Sequence, residues 1–220
     1  MVEPSRSNSV AARDIEFHIH PQTNPQRLEA NGPLVITRGE GIRVYDQNGD
    51  AYIDAMSGLW SAALGFSDKR LAAAAARQYG ELGFYHTFFQ RTGEGVVALS
   101  EKLIELTGME GGKVVYATSG SEANETMVKL AWLYHMANGK PAKRKIIARD
   151  RAFHGSTIVA GSLCGLDFMH REFGLPLPGF LHTMAPYPYR GQGAGETEAA
   201  YVERLAGELE AMILREGPDT

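Results

Sequence analysis

The apolar run Val114-Val-Tyr-Ala117 passes through Thr118-Ser-Gly-Ser121 straight into Glu122-Ala-Asn124, and this junction restricts the fold more than any other stretch. β-branched and aromatic residues ahead of a small-residue turn read as a buried strand over 114–118. Beyond the turn, Ala123, Met127, Leu130, Ala131 and Tyr134 recur at helical spacing and predict a helix over 120–137. A glycine and two serines between them gather backbone N–H groups at a helix N-terminus, where unpaired amides and the helix dipole favour an anion. In open α/β sheets, ligands bind at this carboxyl end of a strand. Ser119 and Glu122 also stand at capping-box spacing, so a well-capped helix start is the plainer reading of the same residues. A P-loop is excluded, since no glycine-lysine-serine/threonine follows, and the three-glycine dinucleotide spacing is missing.

Three further segments give the junction a context. Arg151-Ala-Phe-His-Gly-Ser-Thr157 follows the strand-like Lys145-Ile-Ile-Ala-Arg149, while Asp54-Ala-Met-Ser-Gly-Leu-Trp60 and Phe84-Tyr-His-Thr-Phe-Phe89 are aromatic segments nearer the N-terminus. Together with Ser119-Gly-Ser-Glu-Ala-Asn-Glu125, in this order and spacing, they resemble the class III pyridoxal-phosphate (PLP) aminotransferases. The likeness is to the pyruvate-dependent omega-aminotransferase type, and it extends from about Gly32 onward. The resemblance implies an α/β protein of PLP fold type I, with a mixed, mostly parallel sheet flanked by helices and a small N-terminal β-meander.

Composition agrees with an ordinary folded domain and excludes several partners. Hydrophobic residues make up 44% and charged residues 22% of 220, with a net charge of −4, so neither nucleic acid nor an anionic membrane is favoured. Cys164, the single cysteine, rules out an intrachain disulfide, and its leucine neighbours suggest a buried, inert thiol. No apolar signal-peptide core precedes residue 26, and the apolar stretch from Ala55 to Phe66 is too short to span a bilayer. By elimination the chain is expected in the cytoplasm.

Residues 1–31 read as a polar arm holding at most a short helix, with Pro21 and Pro25 as breakers. A β-meander is expected over 34–53, turning at Gly39–Gly41 and at Asn48-Gly49. Helices are expected over 68–82 and 95–106, then strands and helices alternate: 114–118, 120–137, 145–150, 155–165, 180–183 and 197–216. The last helix should bury Val202, Leu205, Leu209, Met212 and Ile213, and Gly217-Pro218 ends it. By the resemblance, residues 1–66 would form an arm and small domain, and 67–220 the first part of a large PLP-binding domain. Family members are longer, and the strand due after the last helix is missing, so the chain is expected to be the N-terminal portion of a longer protein.

The resemblance also implies site residues. Gly120 and Ser121 would offer main-chain N–H groups to the cofactor phosphate, with the Ser121 hydroxyl as a further donor. Glu122 would have to face elsewhere, because a carboxylate beside a dianion is unfavourable. Phe153 would stack on the pyridine ring; an ordinary core aromatic is the alternative. His154 is expected to hydrogen-bond structurally. Trp60, Phe88 and Tyr85 would line the substrate pocket, with Phe88 serving the neighbouring subunit of a homodimer; plain packing in a core or interface is the alternative. His18 and His20 stand two apart, but no further ligand is evident nearby, so no metal site is expected. The reaction implied is transamination from an amine or omega-amino acid to a 2-oxo acid, pyruvate foremost. Other PLP chemistry on the same scaffold (aminomutase, racemase or decarboxylase) or a catalytically silent assembly module are the alternatives. A nucleotide-binding α/β domain is disfavoured.

No lysine here stands in the context of the family's Schiff-base lysine, which is expected beyond Thr220. Purified as these 220 residues, the chain should therefore show no amino transfer. An assay on mass-verified material checks this, and measurable turnover would refute it.

Overall fold

The computed structural model describes residues 8–220. The chain divides between Val96 and Val97 into two compact units.

The first unit opens with α1 (Val10–Phe17), where the Ser9 hydroxyl accepts from the Ala12 N–H at 3.2 Å. It continues with α2 (Pro25–Asn31), where the Asn24 side chain accepts from the Arg27 N–H. Among the described residues before 32, two helices thus form where at most one short helix was expected; residues 1–7 of the expected arm lie outside the described residues. Pro25 does not break structure; it begins α2, at a position whose N–H would have had no partner anyway. The meander follows as β1 (Ile36–Glu40), β2 (Arg43–Asp46) and β3 (Ala51–Ile53), antiparallel in that order, with Glu40 opposite Arg43 and Arg43 opposite Ile53. Its second turn forms at Asn48-Gly49, where Gly49 takes φ +91°. The Asp46 carboxylate accepts there from the N–H groups of Asn48 and Asp50, both at 2.9 Å.

After it come a single left-handed turn, α3 (Ser57–Trp60), and the Asp68-capped α4 (Lys69–Leu82). α5 (Glu94–Thr107) begins in the first unit and lies mostly in the second.

The second unit contains α6 (Gly120–Ala137), β4 (Ile146–Arg149), α7 (Ile158–Leu163), α8 (Asp167–His170), β5 (Phe180–Thr183), α9 (Pro188–Gly191) and α10 (Glu198–Glu216). β4 and β5 pair in parallel, from Ile146 opposite Phe180 to Arg149 opposite Thr183. Val128 of α6, Ala148, Leu163 and Phe180 form the core, flanked by Trp132, Ile146, Val159 and Leu177. Each large apolar side chain fully buried there contributes about 1.5–3 kcal/mol. This cluster fixes α6 and α7 against β4 and β5, and so determines what lies at the strand ends.

Three expectations change in this unit. Residues 114–118 form no strand: a strand is made by its ladder hydrogen bonds, and no other strand pairs with this segment among the described residues. The helix expected over 155–165 is shorter, because 153–156 is a loop held by side chains. On α10, Leu205, Leu209 and Met212 are half-buried as expected, but Val202 and Ile213 are exposed. Tyr201 is the anchor instead: its hydroxyl donates to Ala185 O and accepts from the Tyr187 N–H, both at 3.0 Å.

The loop before α10 is tied down by Arg204, whose Nε and Nη2 each donate to the Glu196 carboxylate at 2.9 Å; Nη2 also donates to Gly191 O. These Arg204 bonds, and then the Gly193 N–H, hold the Glu196 carboxyl down at about 2 from its ordinary 4.5. A depressed carboxyl stabilises the fold fully above its unfolded value and loses that stabilisation as pH falls through the folded one. Arg204→Met should therefore flatten the acid-induced loss of stability between about pH 4.5 and about pH 2. Urea unfolding midpoints of parent and variant across that range check this; parallel curves would contradict it.

Candidate active site

The site grows from the N-terminus of α6. Ser119 is the cap, in extended conformation (φ −150°, ψ 161°), and its hydroxyl accepts from the Glu122 N–H at 3.1 Å. Glu122 reaches back to the residue ahead of the cap. Its Oε2 accepts from the Thr118 N–H at 2.7 Å and from the Thr118 hydroxyl at 2.6 Å, and these bonds, the hydroxyl's first, hold the carboxyl below its ordinary value. Glu122 thus stays ionised and occupied one residue before the cap. The N–H groups of Gly120 and Ser121 remain, and among the described residues neither has an acceptor. Two free amides at the positive end of an 18-residue helix are an anion site in the physical sense.

The segment that follows β4 is fastened onto this helix end. Ser121 Oγ accepts from the Ser156 N–H at 3.1 Å, which leaves the Ser121 hydroxyl proton free to donate elsewhere. One turn on, Asn124 Nδ2 donates to His154 O at 2.7 Å. From the other side Cys164, fully buried, accepts from the His154 N–H at 3.1 Å and donates its thiol proton toward Gly155 O and Ala160 O, both at 3.3 Å. Gly155 is buried at φ +134°; a Cβ there would overlap Ser121 Oγ and lie 2.9 Å from Ser121 Cα and Ala160 Cβ. Gly165 allows a similar approach at the base of the loop. It accepts from the Arg151 N–H at 2.7 Å, and a Cβ would collide with Arg149 O.

The loop that carries Phe153 is therefore fastened to the helix turn that carries Gly120 and Ser121. Phe153, carried by that loop, keeps 60% of its surface exposed in this chain. A flat apolar ring on a loop fastened to an anion site suits a planar, phosphorylated heterocycle such as PLP. His154 meets its neighbours through its main chain rather than its ring.

Trp60, Tyr85 and Phe88 belong to the first unit and are exposed, Trp60 at 83% and Phe88 at 70%. Trp60 ends a turn in which Ser57, Gly58, Leu59 and Trp60 all take φ between +50° and +71°, a conformation costing about 1–2 kcal/mol for each non-glycine residue. The Asp54 carboxylate holds the turn, accepting from the Met56 N–H at 3.0 Å and the Gly58 N–H at 2.8 Å. Phe89 and Gln90 are left-handed too. Such strain persists where surrounding contacts enforce it, and it concentrates in binding loops. Tyr85 stacks on His86 at 4.7 Å between ring centroids, and Phe88 and Phe89 lie 6.1 Å apart. Beside them a cleft of about 510 Å³ is lined by Tyr85, His86 and Thr87.

Sequence reading missed Thr118, Asn124, Gly155, Ser156 and Cys164. The glycine and the serine lay inside a recognised segment, but nothing in the order of residues says that a buried thiol braces the loop.

Residues 26–220 match the family model described as "Aminotransferase class-III", and the chain belongs to that family. It is 49% identical to gamma-aminobutyrate transaminase 1, mitochondrial, of Oryza sativa subsp. indica, over all of this chain and 43% of that protein. The omega transaminase of Pseudomonas jessenii, solved in complex with PMP, superposes with a TM-score of 0.94 at 50% identity, over 96% of this chain and 47% of that one. A further structure of that enzyme, TM-score 0.94 at 49% identity over 96% of this chain and 47% of that one, is a thermostable variant. It carries substitutions at a tryptophan, a phenylalanine and an arginine, and was engineered for asymmetric synthesis of enantiopure bulky amines. The chain thus spans less than half the length of the relatives it matches. Its fold is that of PLP fold type I.

Gly155→Ala in the full-length protein should push the loop off Ser121 and weaken PLP binding by about tenfold or more, near 1.4 kcal/mol. Titration of apoprotein with PLP, followed by cofactor absorbance, reads this directly; an unchanged affinity would show the close approach to be dispensable.

Proposed function

We propose that the full protein is a PLP-dependent aminotransferase that moves an amino group from an amine or omega-amino acid to a 2-oxo acid, with pyruvate as acceptor. The observation that carries this reading is the pair of free amides at Gly120 and Ser121 on a helix turn to which the loop of Phe153 is fastened. The transaminase activities for which the rice and Pseudomonas relatives are named support it.

In this reading the Gly120 and Ser121 N–H groups and the Ser121 hydroxyl hold the phosphate, and the α6 dipole adds about 0.3–1 kcal/mol. Phe153 covers one face of the ring, worth about 0.5–1.5 kcal/mol beyond burial. The bound cofactor supplies an electron sink for the carbon that loses its proton. Glu122, kept ionised on Thr118, places no negative charge among the phosphate donors. Trp60, Tyr85 and Phe88 form the apolar wall that selects the donor side chain and excludes water. Trp60 and Phe88 are separated by the same number of residues as the tryptophan and phenylalanine substituted in the engineered Pseudomonas enzyme, which supports that assignment.

A homodimer, with Phe88 facing the neighbour's site, belongs to the same proposal. So do the boundary at 66/67 between small and large domains, and residence in the cytoplasm.

The test is the full-length enzyme with PLP, an amine donor (γ-aminobutyrate, β-alanine or an aromatic amine) and pyruvate. Alanine should form in one-to-one ratio with the carbonyl product. Carbon dioxide release, racemisation or intramolecular amino migration without alanine would place the protein with another PLP chemistry. Trp60→Leu should raise kcat/KM for bulky aromatic amines about tenfold relative to small ones. An unchanged ratio would remove Trp60 from the pocket.

A further inference from the structure

Asp14 and His18 stand four apart on the last turns of α1 and share one face of the helix. The helix ends at Phe17, and His18 is already extended, with φ −122° and ψ 130°. In an extended chain alternate side chains point the same way, so His20 returns to the side of His18 while Ile19, 93% exposed, faces away. The outcome is a three-residue cluster. Asp14 Oδ1 lies 3.0 Å from His18 Nδ1, and Asp14 Oδ2 lies 2.7 Å from His20 Nε2. The two imidazole rings are 4.4 Å apart between centroids, and one ligand atom from each residue falls within 4.8 Å of the others.

His18 and His20 alone carried no metal expectation, because the sequence offered no third ligand. The helix turn supplies it as Asp14. Two neutral imidazoles and one carboxylate are the donor set of open three-ligand zinc sites and of other first-row divalent ions. Zinc bonds of about 2.0–2.2 Å put neighbouring ligand atoms about 3.3 Å apart in a tetrahedral site. The Asp14 oxygens stand 3.0 and 2.7 Å from the two imidazole nitrogens, a few tenths of an ångström short of that value, so small rotamer adjustments would close the set around one ion. His18, His20, Thr23 and Glu29 also line a cleft of about 210 Å³, room enough for a water to complete the coordination.

We propose that Asp14, His18 and His20 bind a single divalent first-row transition ion, of which Zn²⁺ is the expected occupant. The ion clasps the end of α1 to the extended segment after it. It binds Nδ1 of His18 and Nε2 of His20, so each neutral ring carries its proton on the opposite nitrogen. The hydrogen bonds to Asp14 are then replaced by bonds to the metal.

The test uses the untagged full-length protein, stripped with chelator and titrated with ZnCl₂ by calorimetry. One Zn²⁺ per subunit should bind with a Kd of about 1 μM. Asp14→Asn, His18→Ala and His20→Ala should each weaken it about tenfold or more, with far-UV circular dichroism unchanged. Co²⁺ in place of Zn²⁺ should give visible d–d bands that disappear in His18→Ala. Absence of saturable binding, or variants that titrate like the parent, would overturn the proposal and leave an ordinary Asp–His hydrogen-bonded cluster.

Discussion

The second unit's site depends on one junction: the first turn of α6 bound to the loop after β4. Ser121 takes the Ser156 N–H, Asn124 reaches His154 O, and the buried Cys164 thiol holds the same loop from behind. Each neutral bond is worth about 0.5–1.5 kcal/mol net. Their joint effect is positional. They align a helix N-terminus with free amides and an aromatic ring whose attachment points lie some thirty residues apart in the chain.

The same junction explains how charge is arranged. A helix start needs its amides satisfied, and an acidic residue in the first turn is favourable to the dipole. Here the cap and the acidic residue satisfy only part of the set. Ser119 takes the Glu122 N–H, and Glu122 turns back to Thr118. The negative charge stabilises the helix without occupying the place where an anion would sit. In the first unit strain has the corresponding role. The left-handed turn at 57–60, pinned by Asp54, fixes the backbone that carries Trp60.

Local signals proved legible where local physics decides. α6 begins and ends where capping and apolar spacing placed it, because Ser119 and the repeat from Ala123 to Tyr134 act within a few residues. β5 formed where the strand-like Phe180-Leu-His-Thr183 placed it. The segment 114–118 was not, since strand character needs a pairing partner and composition supplies only a tendency. Pro25 was misread because proline is a breaker inside a helix and a favoured residue at its start. Val202 was assigned to the buried face of α10 by spacing, yet Tyr201 took the anchoring position, because its hydroxyl meets two main-chain groups of the preceding loop.

Sequence alone determined most of the longer elements, because capping and apolar spacing act within a few residues, and it carried the motifs whose resemblance implied the residues for a phosphate and a ring. Tertiary structure decided which of them stand together: that a glycine at 155 admits Ser121, that a thiol at 164 braces the loop, and that Asp14 joins His18 and His20. Those outcomes rest on contacts between segments and on backbone direction at helix ends, neither of which is encoded in the identity of any one residue.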